Sequence, residues 1–463
     1  MKLKKVLFII PDGVGIRNYL YSDVIKNLKD QAEIVFWSTL PQEAFDETFA
    51  LHQVEIEYKR IVLPNENAIT RLFRESATYA RLVHNAKIQH NETILSNWNK
   101  SGKGIKLQIL YTIAEKIGNW ASKDYQRILN LEKKSRDFWD RKIIEETKST
   151  LLELQPTSIF ITHQRVASLM PICIAAKELG IKVNTAIYSW DNLPKARMAV
   201  LADNYFVWSK YMKNEMQEYY PEVKEENVIV TGTPQFEFYL DNNRILSRDD
   251  FAKRYNLDEN KKWICFSGDD VLTSPFDAGY LNDVAEAIDQ IPESERPQLI
   301  FRRCPVDFSN RYNIVLEKFK NSITIIDPMW VSSATNWGSV FPKVADVDLL
   351  VTICFHCDMV INLGSTMALD FSIFNKPCFY LNYDPVQAST WTVRKIYEFQ
   401  HFRSMNGFEA VGWLNSKNEI TEKIKKALEY PITIGKDKRP WVEKIVNHPL
   451  ENSSKLIAEK ILQ

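Results

Sequence analysis

Nowhere in its 463 residues does the chain carry an apolar run approaching the ~20 residues of a membrane-spanning helix. It also has no low-complexity tract and no internal repeat, which excludes solenoid and fibrous architectures. An excess of one charge is missing as well. The 59 Lys and Arg balance 59 Asp and Glu, so no global field draws the protein to nucleic acid, and attraction to a membrane has to be local. Cysteines are few, at 173, 265, 304, 354, 357 and 378, and lie scattered in apolar segments rather than spaced as a disulfide framework, so a reducing compartment is expected. Cys354 and Cys357 form a CxxC around His356, but no second ligand pair stands at zinc-site spacing, and no metal site is expected. The opening MKLKKVLFIIPDGVG places lysines before an apolar run that Pro11 and Asp12 cut short, which reads as a first parallel strand rather than a secretion signal. A cytoplasmic protein is expected, at most lying on the inner membrane face.

What is present is globular: 45% hydrophobic and 25% charged residues, over a length sufficient for two cores. Val6 to Ile10 is an apolar run followed by PDGVGIRN, a helix to about Leu28 and a second strand, EIVFWS. SIFITH, VNTAIYSW, NYFVWS and NVIVTG follow, alternating with helical patterns, and such alternation predicts a doubly wound parallel sheet. After the polar DNNRILSRDD a second cycle runs through KWICFSG, PQLIFRRC, SITIID, MVINL and CFYLNY. The expected fold class is α/β, with two Rossmann-like domains facing across a cleft. These are residues 1–240, with a helical insertion at about 66–150, and 241–440, while the 441–463 helix packs back on the first domain. The insertion has sixteen Lys and Arg against ten Asp and Glu. Its basic excess and its aromatics Tyr111, Trp120 and Tyr125 suit either a lipid-facing or acceptor-binding surface, or helices packed on the first domain with solvated charges.

The stretch from Cys357 to Tyr383, CDMVINLGSTMALDFSIFNKPCFYLNY, reads as buried strand, glycine turn, amphipathic helix and second buried strand. Gly364 lets a ligand approach the backbone, Ser365 or Thr366 can cap the helix, and free N–H groups of its first turn offer an anion site. A nucleotide diphosphate suits such a seat. This segment resembles the nucleotide-sugar-binding element of glycosyltransferases with the two-domain GT-B architecture, and of the related UDP-N-acetylglucosamine 2-epimerases and CDP-glycerol glycerophosphotransferases. In those families an acidic residue one turn after the Ser-Thr pair holds the ribose hydroxyls, a place taken here by Asp370. Arg302 and Arg303 before Pro305 resemble their Arg-x-His-Pro element, with Cys304 replacing the histidine, and Thr231-Gly232-Thr233-Pro234 resembles their TG.P element.

The resemblance implies an enzyme that takes a UDP-linked sugar as co-substrate, with no tightly bound cofactor, and passes the sugar to a cell-surface or lipid-linked glycan. Gly268, Arg303, Gly364, Ser365, Thr366 and Asp370 are the expected donor-binding residues, and the loop from Asp327 to Trp330 is the expected nucleobase contact. A base for the acceptor hydroxyl is expected in the first domain, where Asp12, His163 and Asp191 each follow a strand. His163 is favoured because histidine titrates near neutrality without a special environment. Retaining members of the architecture show two Glu eight positions apart. Asn362 stands eight before Asp370, so inversion is implied. No DxD-like metal-binding element stands in the expected cleft loops, with Asp269-Asp270 the one pair left open, and metal-independent transfer is expected. Two alternatives stay open: a nucleotide-sugar epimerase, and a non-catalytic nucleotide-sugar-binding protein. An anionic membrane surface is a further candidate partner.

Overall fold

The computed structural model describes residues 3–100, 104–332, 340–386, 391–446 and 450–463. The chain forms two compact units. One comprises Met1–Gln235 with Phe399–His401 and Ile445–Gln463, the other Phe236–Glu398 with Phe402–Lys444. The first holds a seven-stranded parallel sheet built from β1 (Lys4–Ile10), β2 (Ala32–Ser38), β3 (Glu57–Arg60), β4 (Ser158–Ile161), β5 (Lys182–Ala186), β6 (Asn204–Val207) and β7 (Val228–Val230), in the order β3-β2-β1-β4-β5-β6-β7. Strand β1 pairs in parallel with both β2 and β4, and the winding reverses there. Because the central strands are covered on both faces, they read as unbroken apolar runs rather than as alternation.

The two faces nonetheless differ. Leu7, Ile9, Val35, Ile159 and Ile161 pack with helical Leu151, Leu154 and Ala176 on one side. On the other a lateral row runs Phe36, Phe8, Phe160 in register. Its rings meet edge to face, Phe8 lying 5.9 Å from Phe36 and 5.4 Å from Phe160. The row ends in polar residues, Asn184 and Asn204, where the Asn204 amide donates to Asn184 Oδ1 at 2.8 Å and so satisfies a buried pair.

Between β3 and β4 the chain is helical: Ala68–Gln89, Ile105–Ala121, Tyr125–Asp137 and Arg141–Leu154. Asn67, Asp124 and Asp140 start three of these by accepting from first-turn N–H groups. Small residues set the packing. Ala77, Ala80 and Ala121 let the first three helices approach, and a Cβ on Gly118 would lie 2.8 Å from the Tyr79 ring and 2.9 Å from the Ser76 carbonyl. The final helix, Ser453–Leu462, also belongs to this unit and packs on the Val24–Leu28 helix, β1 and β4.

The second unit has a six-stranded parallel sheet. It consists of β8 (Trp263–Ser267), β9 (Gln298–Arg302), β10 (Ile323–Ile325), β13 (Met359–Asn362), β14 (Cys378–Leu381) and β15 (Gly412–Leu414), in the order β10-β9-β8-β13-β14-β15. A small antiparallel hairpin, β11 (Trp330–Ser332) with β12 (Val340–Pro342), interrupts it in sequence. The α/β class with two parallel sheets, expected from the sequence, is what the structure has. Edge strands β3 and β15 and the hairpin were not legible, since four half-exposed residues or three do not make an apolar run.

The insertion's aromatics and arginines divide, with Trp120 exposed and others turned inward. Tyr111 is buried with its hydroxyl donating to Glu75, and Arg71 and Arg74 pair with Glu66. Arg81 is 1% exposed, bonded to Glu132, Glu222 and the Tyr219 carbonyl, and stacked 4.5 Å over the Tyr220 ring. It clamps the insertion to the helix ending at Tyr219. Removing one partner of such a buried network leaves the others unpaired. Arg81→Ala should therefore lower unfolding free energy by about 3–5 kcal/mol in urea titrations, whereas Lys87→Glu, on an exposed position, should stay within about 0.5 kcal/mol.

Candidate functional site

In the first unit two of the three candidate bases meet where the winding reverses. Asp12 ends the chain's run out of β1, and its Oδ1 accepts from the Gly15 N–H at 3.1 Å, opening a short helix. That helix passes so close to the loop after β4 that a Cβ on Gly15 would sit 2.5 Å from Thr162 Oγ1. Thr162 is itself tied to the β1 carbonyl of Ile9 at 3.1 Å. The next residue, His163, thus faces Asp12, and its Nδ1 lies 2.6 Å from Asp12 Oδ2. A carboxylate at that distance takes the Nδ1–H, which leaves the lone pair on Nε2.

His163 Nε2 is buried and has no hydrogen-bond partner among the described residues; the same holds for the hydroxyl of Tyr188, whose ring stacks on the imidazole at 3.9 Å. Orphaned polar atoms on two stacked rings cost about 1–3 kcal/mol each, and a ligand that bonds them would recover it. Tyr188 is held by its own N–H donating to Gln164 Oε1 at 3.0 Å. Its hydroxyl titrates far above the ordinary range because of burial and the charge of Asp12. Sequence reasoning missed Tyr188, although it stands in the IYSW run two residues before Trp190.

Asp191 is engaged elsewhere. Its carboxylate takes the Lys195 ammonium and, at 2.8 Å, the Asn192 amide. Burial alone would raise its pKa, but Lys195 and His401 hold it well below the carboxylate range. It stays ionised near neutrality. Gly232 of the TGTP turn takes φ +75°, and the neighbouring Thr233 hydroxyl is buried without a partner among the described residues.

In the second unit the winding reverses between β8 and β13, so the turns at Gly268 and Gly364 lie on adjacent strands. Gly364 takes φ +72°, and a Cβ there would come 2.7 Å from the Phe402 ring, so glycine is required by backbone and packing alike. Asn362 Oδ1 accepts from the Ser365 N–H at 2.9 Å, and Ser365 Oγ receives the Met367 N–H at 3.4 Å. The half-buried Thr366 opens the Met367–Ile373 helix. Asp370, on its inner side, is 8% exposed, and its charge reaches Cys354.

The two arginines divide. Arg302 turns inward to Asp346 at 2.8 Å, and the same carboxylate takes the Met329 N–H and Trp330 Nε1, fixing the loop after β10. Arg303 stays half-buried at the strand end, donating to the Ser309 carbonyl at 3.0 Å and to Asp327 at 3.3 Å. Gly268 is demanded by Tyr312, whose hydroxyl would lie 2.9 Å from a Cβ. Beyond it, Asp269 is pushed well above the carboxylate range by burial and by the charges of Asp270 and Asp277. Asp270 spends its oxygens on the turn, accepting from Leu272, Thr273 and the Thr273 hydroxyl. The pair is thus one acid whose protonated form is favoured and one turn cap rather than two free carboxylates. Cys354 and Cys357 are buried, with thiols raised far above their usual value by burial.

No protein-family model matches the chain, and no curated protein matches it in sequence. Solved structures do. The chain resembles UDP-GlcNAc 2-epimerase from Neisseria meningitidis bound to UDP-GlcNAc, at TM-score 0.52 and 14% identity over 99% of each chain. It also resembles UDP-GlcNAc 2-epimerase from Methanocaldococcus jannaschii, at TM-score 0.54 and 12% identity over 99% of this chain and 100% of that one. A glycosyltransferase from Rickettsia africae aligns over 100% of both chains at TM-score 0.51 and 11% identity. With two parallel sheets wound as described, and with neighbours of this kind along its whole length, the chain has the GT-B fold.

Proposed function

We propose that the protein is an inverting glycosyltransferase that moves a sugar from a UDP-sugar to a cell-surface or lipid-linked glycan. The observation that carries this reading is the Asp12–His163 pair with Nε2 left unbonded. In the proposed step, Nε2 takes the proton of the acceptor hydroxyl as its oxygen attacks the anomeric carbon, and Asp12 stabilises the imidazolium formed. The sugar–phosphate bond breaks, and charge collects on the departing diphosphate. Gly268, Gly364, Ser365 and Thr366 supply its seat, Arg303 a guanidinium, and Asp370 the ribose contact. Substrate binding by the solved neighbours supports the donor class, since one was crystallised with UDP-GlcNAc.

The second reading is an epimerase of the UDP-GlcNAc 2-epimerase type, which the neighbours support equally. The two differ in what they require. Epimerisation at C2 breaks and remakes a C–H bond, so UDP-GlcNAc incubated in deuterated water without acceptor would gain deuterium there. A transferase leaves that carbon untouched and releases UDP when acceptor is added.

His163→Asn should lower turnover by about 10² to 10⁴-fold with donor binding nearly unchanged. Asp12→Asn should cost less, since it leaves the imidazole in place. A dead Asp12 variant beside an active His163→Asn would move the base to the acidic loop.

Asp269 makes UDP binding depend on pH. While protonated it lets a diphosphate approach; as pH rises through its elevated pKa, the new charge repels the ligand. Calorimetric UDP affinity should therefore fall as pH rises through that pKa, and Asp269→Asn should flatten that fall. An unaltered slope in the variant would place the phosphates elsewhere.

Among the described residues no helix is long and apolar enough to cross a membrane. The Ile105–Ala121 helix nonetheless exposes Ile105, Ile109, Ile113 and Trp120 on one stripe, flanked by exposed Lys106, Lys116 and Lys123 and by Arg127 stacked 4.5 Å over Trp120. An apolar stripe edged with cations suits an anionic membrane surface. Replacing Ile109 and Ile113 together by Asp should strip most of the protein from phosphatidylglycerol vesicles in sedimentation assays. Equal sedimentation of parent and variant would show the stripe to be ordinary surface.

A further inference from the structure

The first unit contains a small pocket that the chemistry above does not use. It is lined by Arg74, Arg136, Arg165 and Arg197, with Glu66, Thr70 and Trp139 among its other walls. Four guanidiniums on one pocket are held apart only partly by carboxylates. Arg74 is neutralised by Glu66 and Glu75, and Glu132 by Arg81. Arg197 reaches Glu75 only at 3.7 Å. Arg165 and Arg136 have neither a side-chain hydrogen bond nor an ion pair among the described residues. The Thr70 hydroxyl, 0% exposed and on the pocket wall, likewise has no hydrogen-bond partner there.

Such a cluster is electrostatically unfinished. A guanidinium cannot shed its proton near neutrality, so facing arginines repel until an anion arrives. Burial lowers the pKa of Arg165, and the charge of Asp191, which opposes this in part, is in turn countered by that of Arg197. Its place in the chain is informative too. Arg165 stands two residues beyond His163 on the loop after β4, the histidine on which Tyr188 stacks.

We propose that this pocket seats a phosphate-class oxyanion carried by the acceptor, so that the hydroxyl to be glycosylated belongs to a phosphate-bearing molecule. The inference rests on the glycosyltransferase reading for its role and on the pocket alone for its ligand. Unpaired Arg165 and Arg136, with Arg197 beside them, offer more positive charge than a carboxylate balances. The forked guanidinium donors and the Thr70 hydroxyl can divide among the oxygens of one tetrahedral group.

The test is calorimetry on the full-length protein with glycerol 3-phosphate as a soluble probe, decyl phosphate as a lipid-like one and acetate as the carboxylate control, each with and without UDP. Phosphates should bind and acetate should not, and Arg165→Gln should weaken phosphate binding about tenfold or more, the scale of a lost charge-assisted bond, while UDP affinity is unchanged. Equal affinity of the two phosphates would assign a soluble acceptor; a preference for decyl phosphate that also depends on Arg165 would assign a lipid-linked one. Because Arg165 holds no partner, its loss should leave the melting temperature unchanged or raised. If it falls instead, Thr70→Val, which removes only a hydroxyl, becomes the deciding variant, with about threefold weaker phosphate binding expected. Phosphate binding that ignores the deciding variant, acetate binding as tight as phosphate, or no phosphate binding overturns the proposal. Phosphate binding that depends on Arg165 in a protein that takes no UDP-sugar would instead sink the transferase reading and leave the pocket standing.

Discussion

The placement of chemistry in the first unit depends on β1 pairing in parallel on both sides, with β2 and with β4. Parallel strands end on the same edge, and at the strand where winding reverses the two outgoing loops part, leaving their first residues side by side. Asp12 leaves β1 and His163 leaves β4 at that point. Two further constraints lock them. Gly15 lets the helix lie against Thr162, and Asp12 shares its carboxylate between the Gly15 N–H and the imidazole. The carboxylate is thus helix cap and histidine partner at once. One oxygen serves each duty, so the geometry of the base is built into the geometry of the fold.

The second unit repeats the winding but spends its glycines differently. Gly268 and Gly364 invite the reading that a ligand must approach the backbone, yet the atoms that forbid a side chain are the Tyr312 hydroxyl and the Phe402 ring. Packing accounts for glycine at 268, and packing together with a φ of +72° for glycine at 364. The polar candidates of this unit are the half-buried Arg303, Thr366 at the start of its helix, and Asp269, whose protonated form burial and its acidic neighbours favour. A neutral acid beside a candidate phosphate seat is chemically consistent with an anionic ligand, where an ionised one would oppose it.

How far the sequence could be read follows from what a linear pattern encodes. Buried parallel strands such as Val6 to Ile10 and Met359 to Asn362 are continuous apolar runs, and their ends locate Asp12, His163 and Gly364 at strand C-termini without any structure. Partnership was not legible. Nothing in the order of residues tells that Asp12 binds His163 151 positions away, that Asp191 is taken by Lys195, or that of the adjacent Arg302 and Arg303 one turns into the core. Tyr188 escaped because an aromatic at a strand end reads as core until its hydroxyl is found without a partner.

Arginines make the same point most sharply. Arg81 and Arg165 are both drawn into the first unit, and a count of basic residues treats them alike. Arg81 has carboxylates from two elements, a carbonyl and a ring face, so its charge is spent on holding helices together. Arg165 has Arg197 for a neighbour and a pKa driven down by burial. A fold under selection for stability alone would have replaced such a cation with an apolar side chain of similar volume, a change that is neutral or favourable where no partner is lost. The proposed anion gives the retained charge a role, since it would complete from outside the chain what Asp191 offsets only in part.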